Sequence, residues 1–266
     1  MIIGAAPMYS ASSAIPISFA GSRTNSECNR VHAMPNMSTH FHHQPVEAFI
    51  IDLDGTMVDT IDDLAIAFNT ALNQLGLAPV ATAFVERMIN KGPEHLVRAA
   101  LGDAGTDMAL YERCLQLYRK AYGEINGKYA RVYPGVGESL AELRALGMKL
   151  ACLTNKPGSF ARALLKEKQL DGFFSVVFGG DAFPCQKPDP LPVIRTCEAL
   201  GTAPSRTLMV GDSNNDALAA KAAGCRVVLV KYGYHHGESR SRTHVDGVID
   251  GLHQLRPFCR LADQDA

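Results

Sequence analysis

The chain of 266 residues contains no apolar run approaching the length of a membrane span, and no C-x-x-C pair. The first absence leaves no candidate membrane helix. The second is joined by a cysteine count that is odd: seven thiols, scattered at Cys28, Cys114, Cys152, Cys185, Cys197, Cys225 and Cys259. Neither a zinc knuckle nor a disulfide scaffold fits that spacing, and reduced thiols in a cytoplasmic protein are expected. A basic surplus is missing too. The formal net charge is −1, so no positive field favours nucleic acid or an anionic membrane surface. What is present is core material. With 47% hydrophobic and 20% charged residues, the chain can bury a sizeable interior in one or two domains.

Residues 1–45 lack any sustained helix or strand period and are rich in Ser, Ala, Asn and His. The Ala14–Ala20 stretch is a poor signal-peptide core, broken by Pro16 and with no basic residue before it, while Arg23 and Arg30 with almost no acid hint at a transit peptide. The expectation is a disordered N-terminal extension, or a start at Met34 or Met37. His40, His42 and His43 are read as solvated.

The first informative stretch follows. Ala48-Phe49-Ile50-Ile51 is apolar at every position, as a parallel strand covered on both faces requires. It runs directly into Asp52-Leu53-Asp54-Gly55-Thr56. Two carboxylates at a strand end are costly to desolvate unless a cation or a substrate offsets them. A calcium loop is disfavoured, because Met57 stands where its sixth-position glycine belongs.

Downstream, Thr60 and Asp63 have capping-box spacing, and apolar residues recur helically from Leu64 to Leu75 before Gly76. Further helices are predicted over 81–90, 93–101 and 106–125, with no convincing strand between Thr60 and Arg131. A block that long is better read as a helical insert, residues 60–132, than as a loop. From Tyr133 onward strands and helices alternate. Strands are predicted at 148–153, 175–178, 207–210 and 226–230, and helices at 137–146, 190–200 and around 217–223. Pro157 is placed in the first turn of another helix. This pattern predicts an α/β fold with a Rossmann-like parallel sheet, formed by 46–59 and 133–258, and a small all-helical domain inserted after the first strand.

Four strand ends carry polar residues of complementary kinds. The first offers Asp52 and Asp54, the second Thr154-Asn155-Lys156 and the third Lys187-Pro188. The fourth offers Gly211-Asp212-Ser213-Asn214-Asn215-Asp216. Open α/β sheets bind ligands beyond the carboxyl ends of their strands, so these groups are expected to converge.

In this order the motifs resemble those of the haloacid dehalogenase superfamily of phosphotransferases, over roughly residues 46–255. Within it, Thr154-Asn155-Lys156-Pro157, Lys187-Pro188-Asp189-Pro190 and Val210-Gly211-Asp212-Ser213 are most similar to bacterial phosphoglycolate phosphatases. Tyr232-Gly233-Tyr234 and Asn90-Lys91-Gly92-Pro93 add to that likeness.

The resemblance implies a magnesium-dependent phosphatase acting on a small phosphorylated metabolite, foremost 2-phosphoglycolate, as a monomer or homodimer. It implies Asp52 as nucleophile and Asp54 as acid and base. The metal ligands would be the Asp52 carboxylate, the Asp54 backbone carbonyl and Asp212. Thr154, Asn155 and Lys187 would hold phosphate oxygens, with Asp216 orienting Lys187 or a metal-bound water. For the leaving group's carboxylate Lys91 is the first candidate and Arg98 the second. His235 and His236 are read as loop residues. Another sugar phosphate or nucleotide, a mutase reaction and a non-catalytic phosphate-binding role remain alternatives. Hydrolytic dehalogenation is disfavoured, because it does not need the group that Asp54 supplies.

Overall fold

The computed structural model describes residues 46–89, 92–234 and 245–259. The N-terminal extension, Lys91, His235 and His236 lie outside them. Strand β1 (Ala48–Ile51) is buried along its whole length, as its unbroken apolar run requires. Its side chains divide by parity. Phe49 and Ile51 enter one hydrophobic cluster with Leu150, Cys152, Leu208 and Val210, while Ala48 and Ile50 enter another with Ala151, Leu153 and Met209. Each face of the sheet therefore has its own core.

The sheet is built from β1, β4 (Lys149–Leu153), β5 (Val176–Phe178), β6 (Thr207–Gly211), β7 (Arg226–Val230) and β8 (Gly247–Ile249). Their order is β5-β4-β1-β6-β7-β8, and every neighbouring pair is parallel. Helices α5 (Val136–Ala145), α6 (Gly158–Glu167), α7 (Leu191–Leu200) and α8 (Asn214–Ala223) supply crossovers. The chain leaves β1 for β4 on one side and later returns to β6 on the other. That reversal opens a crevice at the carboxyl end of β1, the usual ligand position in such sheets. Strand β8, short and at the sheet edge, is an addition to the sequence reading.

Between β1 and β4 lies the helical insert: α1 (Ile61–Gln74), α2 (Thr82–Glu86), α3 (Pro93–Leu101) and α4 (Met108–Ile125). Helix α2 is shorter than the 81–90 predicted, ending in turns from Arg87. Helix α4 starts where the Asp107 carboxylate accepts hydrogen bonds from the Ala109 and Leu110 amides. The insert packs its own core from Phe68, Leu72, Val97, Cys114, Tyr118 and Tyr122, with Phe160 of α6 resting against it.

Two short strands, β2 (Val58–Asp59) and β3 (Arg131–Val132), pair antiparallel where the chain enters and leaves the insert. At that junction the predicted capping box does not form. The Thr60 hydroxyl donates to Asp54 Oδ1 at 2.8 Å instead. Fully buried Asp63 accepts the Gly127 and Tyr129 amides at 2.6 and 2.7 Å, tying the start of the insert to its end. Tertiary partners outcompete the local cap because the buried Gly127 amide of the returning chain has a stronger claim on a carboxylate than exposed helix amides do.

Candidate active site

Asp52 is the first residue past β1, and Lys187 reaches it from the loop that follows β5. The Lys187 ammonium lies 2.8 Å from Asp52 Oδ1, 2.7 Å from Asp216 Oδ1 and 2.8 Å from the Leu153 carbonyl. All three donors of the ammonium are thus matched, which is what a buried lysine needs to stay charged. Its burial opposes the charge, but Asp216 and Asp52 outweigh that effect and hold it above the ordinary lysine value.

Asp216 is the third residue of α8. Its Oδ2 accepts both the amide and the hydroxyl of Ser213, at 3.1 and 2.7 Å, closing a capping box. With Oδ1 on Lys187, both its oxygens are engaged. Asp212 is different. The Tyr234 amide donates to its Oδ2 at 2.6 Å, while its buried Oδ1 has no hydrogen-bond partner among the described residues. This packing depends on two glycines with left-handed backbones, Gly55 (φ 80°) and Gly233 (φ 94°), where any Cβ would collide with the Asp212 side chain.

Carboxylate oxygens of Asp52, Asp212 and Asp216 lie within 4.8 Å of one another. Burial, more than any neighbour, raises the Asp52 carboxyl to about 7; Lys187 opposes the rise, and Asp216 adds to it. Asp212 is also pushed well above the carboxylate range, by burial first and then by Asp216 and Asp52. Three buried acids and one lysine leave an excess of negative charge that a cation would offset. Hard oxygen donors and the open Asp212 Oδ1 fit a divalent metal. Asp216 is the poorest ligand of the three, because Lys187 and Ser213 occupy both its oxygens.

Asp54 points away from this group. Its carboxylate is gripped by the Lys156 ammonium, at 2.8 and 3.1 Å to the two oxygens, and by the Thr60 hydroxyl. Lys156 is itself buried and sits 4.8 Å over the ring of Tyr122, from α4 of the insert. Thr154, also buried, accepts the Lys156 amide at 3.2 Å and so stabilises the turn after β4. Asn155 is engaged otherwise than expected. Its amide group donates to the Lys187 carbonyl at 2.8 Å and accepts the Lys187 amide at 3.0 Å. It is a two-point clamp on the lysine's backbone, and would have to release it to reach a phosphate with its side chain.

These residues open on a cavity of about 710 Å³. Asp52, Asp54, Thr154, Asn155, Lys156 and Lys187 form one wall; Leu64, Val85, Leu96, Tyr118, Arg119 and Tyr122 of the insert form the other. Arg98 is absent from the lining and lies over the ring of Tyr111, 4.3 Å from its centroid. Lys91 lies outside the described residues. Sequence reading missed Lys156, Tyr122, Asp63 and Tyr234. Lys156 and Tyr234 carried a local signal, in Thr154-Asn155-Lys156 and Tyr232-Gly233-Tyr234, and Asp63 only that of a helix cap; Tyr122 is an ordinary residue until folding brings distant partners to it.

Residues 49–230 match the family model of haloacid dehalogenase-like hydrolases. A phosphoglycolate phosphatase of Nitrosospira multiformis is 41% identical over 213 residues, 79% of this chain and 94% of that protein. A phosphoglycolate phosphatase of Thiobacillus denitrificans is 39% identical over 211 residues, covering 78% and 93%. Among solved structures, a protein from Haemophilus somnus described as a predicted phosphoglycolate phosphatase superimposes with a TM-score of 0.75 at 32% identity, covering 80% of this chain and 97% of that one. The chain belongs to the haloacid dehalogenase-like hydrolases and is a phosphomonoester hydrolase.

Proposed function

We propose that the enzyme hydrolyses 2-phosphoglycolate to glycolate and phosphate through a phosphoryl group carried on Asp52. The observation that carries the chemistry is the buried arrangement of Asp52, Asp212 and Asp216 around Lys187, with Asp54 beside it on a separate cation. The substrate rests on relatives at 41% and 39% identity that bear the name phosphoglycolate phosphatase.

An Asp52 oxygen attacks phosphorus, and the P–O bond to the glycolate oxygen breaks as a proton passes to that oxygen from Asp54. Asp54 then takes a proton from water, whose oxygen attacks the phosphorus and releases inorganic phosphate. Asp52 returns as a carboxylate and Asp54 as an acid. Dividing the displacement in this way lets one pair of carboxyls serve both halves.

Lys187 draws charge from the equatorial oxygens in both steps, held in place by the Asn155 clamp and by Asp216. Thr154 borders the same space and offers a hydroxyl to those oxygens. The Asp52 and Asp212 carboxylates and the Asp54 backbone carbonyl would hold Mg2+. When bound, it would polarise a phosphoryl oxygen and offset the repulsion between Asp52 and an anionic substrate. The helical insert serves as the cap, excluding water and selecting the leaving group.

The free thiols of Cys114, Cys152, Cys185, Cys197, Cys225 and Cys259 support a reducing, cytoplasmic setting. Among the described residues no helix is long and apolar enough to cross a membrane.

Phosphate release from a panel of phosphomonoesters tests the reading. With Mg2+, 2-phosphoglycolate should show the highest kcat/KM, and chelator should abolish it. Equal or better turnover of a sugar phosphate or nucleotide would reject the substrate and leave the chemistry standing. Undiminished release in chelator would reject the metal.

A further inference from the structure

We infer that Tyr122 Oη and Lys156 Nζ together form the subsite for an anionic substituent on the leaving group, the carboxylate of a two-carbon phosphate ester. The inference deepens the substrate reading above and rests on it.

Three lines of support converge on this pair. Tyr122 lines the cavity from α4, is only 4% exposed, and its hydroxyl has no hydrogen-bond partner among the described residues. A buried donor without an acceptor is costly, and such groups at a cavity wall are completed by what the cavity binds. Burial first, then Asp54 and Asp63, push this hydroxyl well above the ordinary phenol range, so it stays a neutral donor.

The second observation is charge. Lys187 lines the cavity but is spent on Asp52 and Asp216, on the side where phosphorus would react. Arg119 lines it from α4, half exposed and paired with Glu94 at 2.7 Å. Lys156 is the buried cation on the Asp54 side, with its ammonium between Asp54 and the Tyr122 ring. The third support is order, and it follows from the mechanism proposed above. Asp54 hands its proton to the leaving oxygen, so whatever that oxygen carries lies next to the group that grips Asp54. A carboxylate one carbon further on meets Lys156 and the Tyr122 hydroxyl together. A charge-assisted hydrogen bond from each would hold it.

The test compares two substrates in the full chain with Mg2+: 2-phosphoglycolate and 2-hydroxyethyl phosphate, which carries a hydroxymethyl group in place of the carboxylate. The ratio of their kcat/KM values is measured for the wild type, Tyr122→Phe and Lys156→Met. Tyr122→Phe keeps the ring under Lys156 and its edge contact with Phe160. It should lower the ratio tenfold or more, through KM for 2-phosphoglycolate. Lys156→Met should lower it further, along with a general loss from the freed Asp54. Inhibition by glycolate should weaken in step in Tyr122→Phe, while inhibition by inorganic phosphate holds. Because the ratio is internal to each variant, partial misfolding does not mimic the effect. A wild-type ratio well above one that survives both substitutions overturns this inference alone. A wild-type ratio at or below one overturns the substrate reading and takes this inference with it.

Discussion

On the sheet side of the cavity, four carboxylates and two lysines crowd together, contributed by the loops after β1, β4, β5 and β6 and by the first turn of α8. On the insert side the wall is mainly apolar and aromatic: Leu64, Val85, Leu96, Tyr118 and Tyr122, with the Arg119–Glu94 pair at its edge. The first wall is dense in charge and locked by reciprocal hydrogen bonds. The second has few polar atoms, and one of them, the Tyr122 hydroxyl, has no hydrogen-bond partner among the described residues. A wall that must hold a reacting group in one geometry needs every polar atom fixed by another. A wall that chooses among leaving groups needs a polar atom that the protein itself does not satisfy. On this comparison we assign the chemistry to the sheet edge and selection to the Tyr122 hydroxyl of the insert, acting with Lys156 from the sheet side.

The sharpest way to break that division is Asp52→Asn. Turnover should fall on the order of 10⁴-fold or more on every ester, since effects of this size follow loss of a nucleophile. A steady-state assay across the ester panel checks it, and loss confined to 2-phosphoglycolate would place Asp52 among the selecting groups instead.

Next in size is Lys187→Met. Removing one partner from a buried ion network typically costs about 3–5 kcal/mol, because the remaining charges stay buried. Denaturant unfolding of the metal-free variant should show that loss; a midpoint like the wild type's would mean the sheet wall is not charge-locked. Asp63→Ala tests the tie between the ends of the insert. The Gly127 and Tyr129 amides, the first of them buried, lose their acceptor, for a cost of roughly 1–3 kcal/mol, with the Asp52 network intact. Unfolding by denaturant measures that cost, and an unchanged midpoint would show that the junction contributes nothing.

A separate test lies in the pH dependence of stability without metal. The Asp52 carboxyl sits at about 7 in the folded chain and has an ordinary value of 3.8. Between these values the folded state holds a proton that the unfolded chain has lost. Asp52 therefore contributes most to stability below about pH 4 and progressively less as pH rises to about 7. Thermal unfolding of wild type and Asp52→Asn over that window isolates the effect, and the wild type should lose ground to the variant as pH rises. A difference that shrinks instead would mean that Lys187 outweighs burial.

Much of the fold was legible before folding was considered. Unbroken apolar runs at 48–51, 208–210 and 227–230 read as buried parallel strands, and the long stretch of helical periodicity after Asp59 reads as an insert rather than a loop. Legibility failed where a residue's partner is distant. Thr60 and Asp63 have the spacing of a cap, yet Thr60 turns to Asp54, and Asp63 takes amides more than 60 residues away. Asn155 reads as a phosphate donor in a strand-end motif, but its amide closes on the backbone of Lys187. Short strands β2, β3 and β8 left no periodic trace because two or three residues are too few to show one.

The sequence by itself determined the sheet, the insertion point after β1 and the convergence of Asp52, Asp54, Lys187 and Asp212 at strand ends. These follow from apolar periodicity and from the rule that parallel strands present their ends on one side. Only the tertiary structure decided which charge meets which. Lys187 pairs with Asp52 as well as with the Asp216 that the family resemblance implied, Lys156 pairs with Asp54, and Tyr122 of the insert closes over Lys156. Those pairings depend on distances between residues far apart in the chain, and buried ions admit so few satisfactory partners that packing fixes the choice.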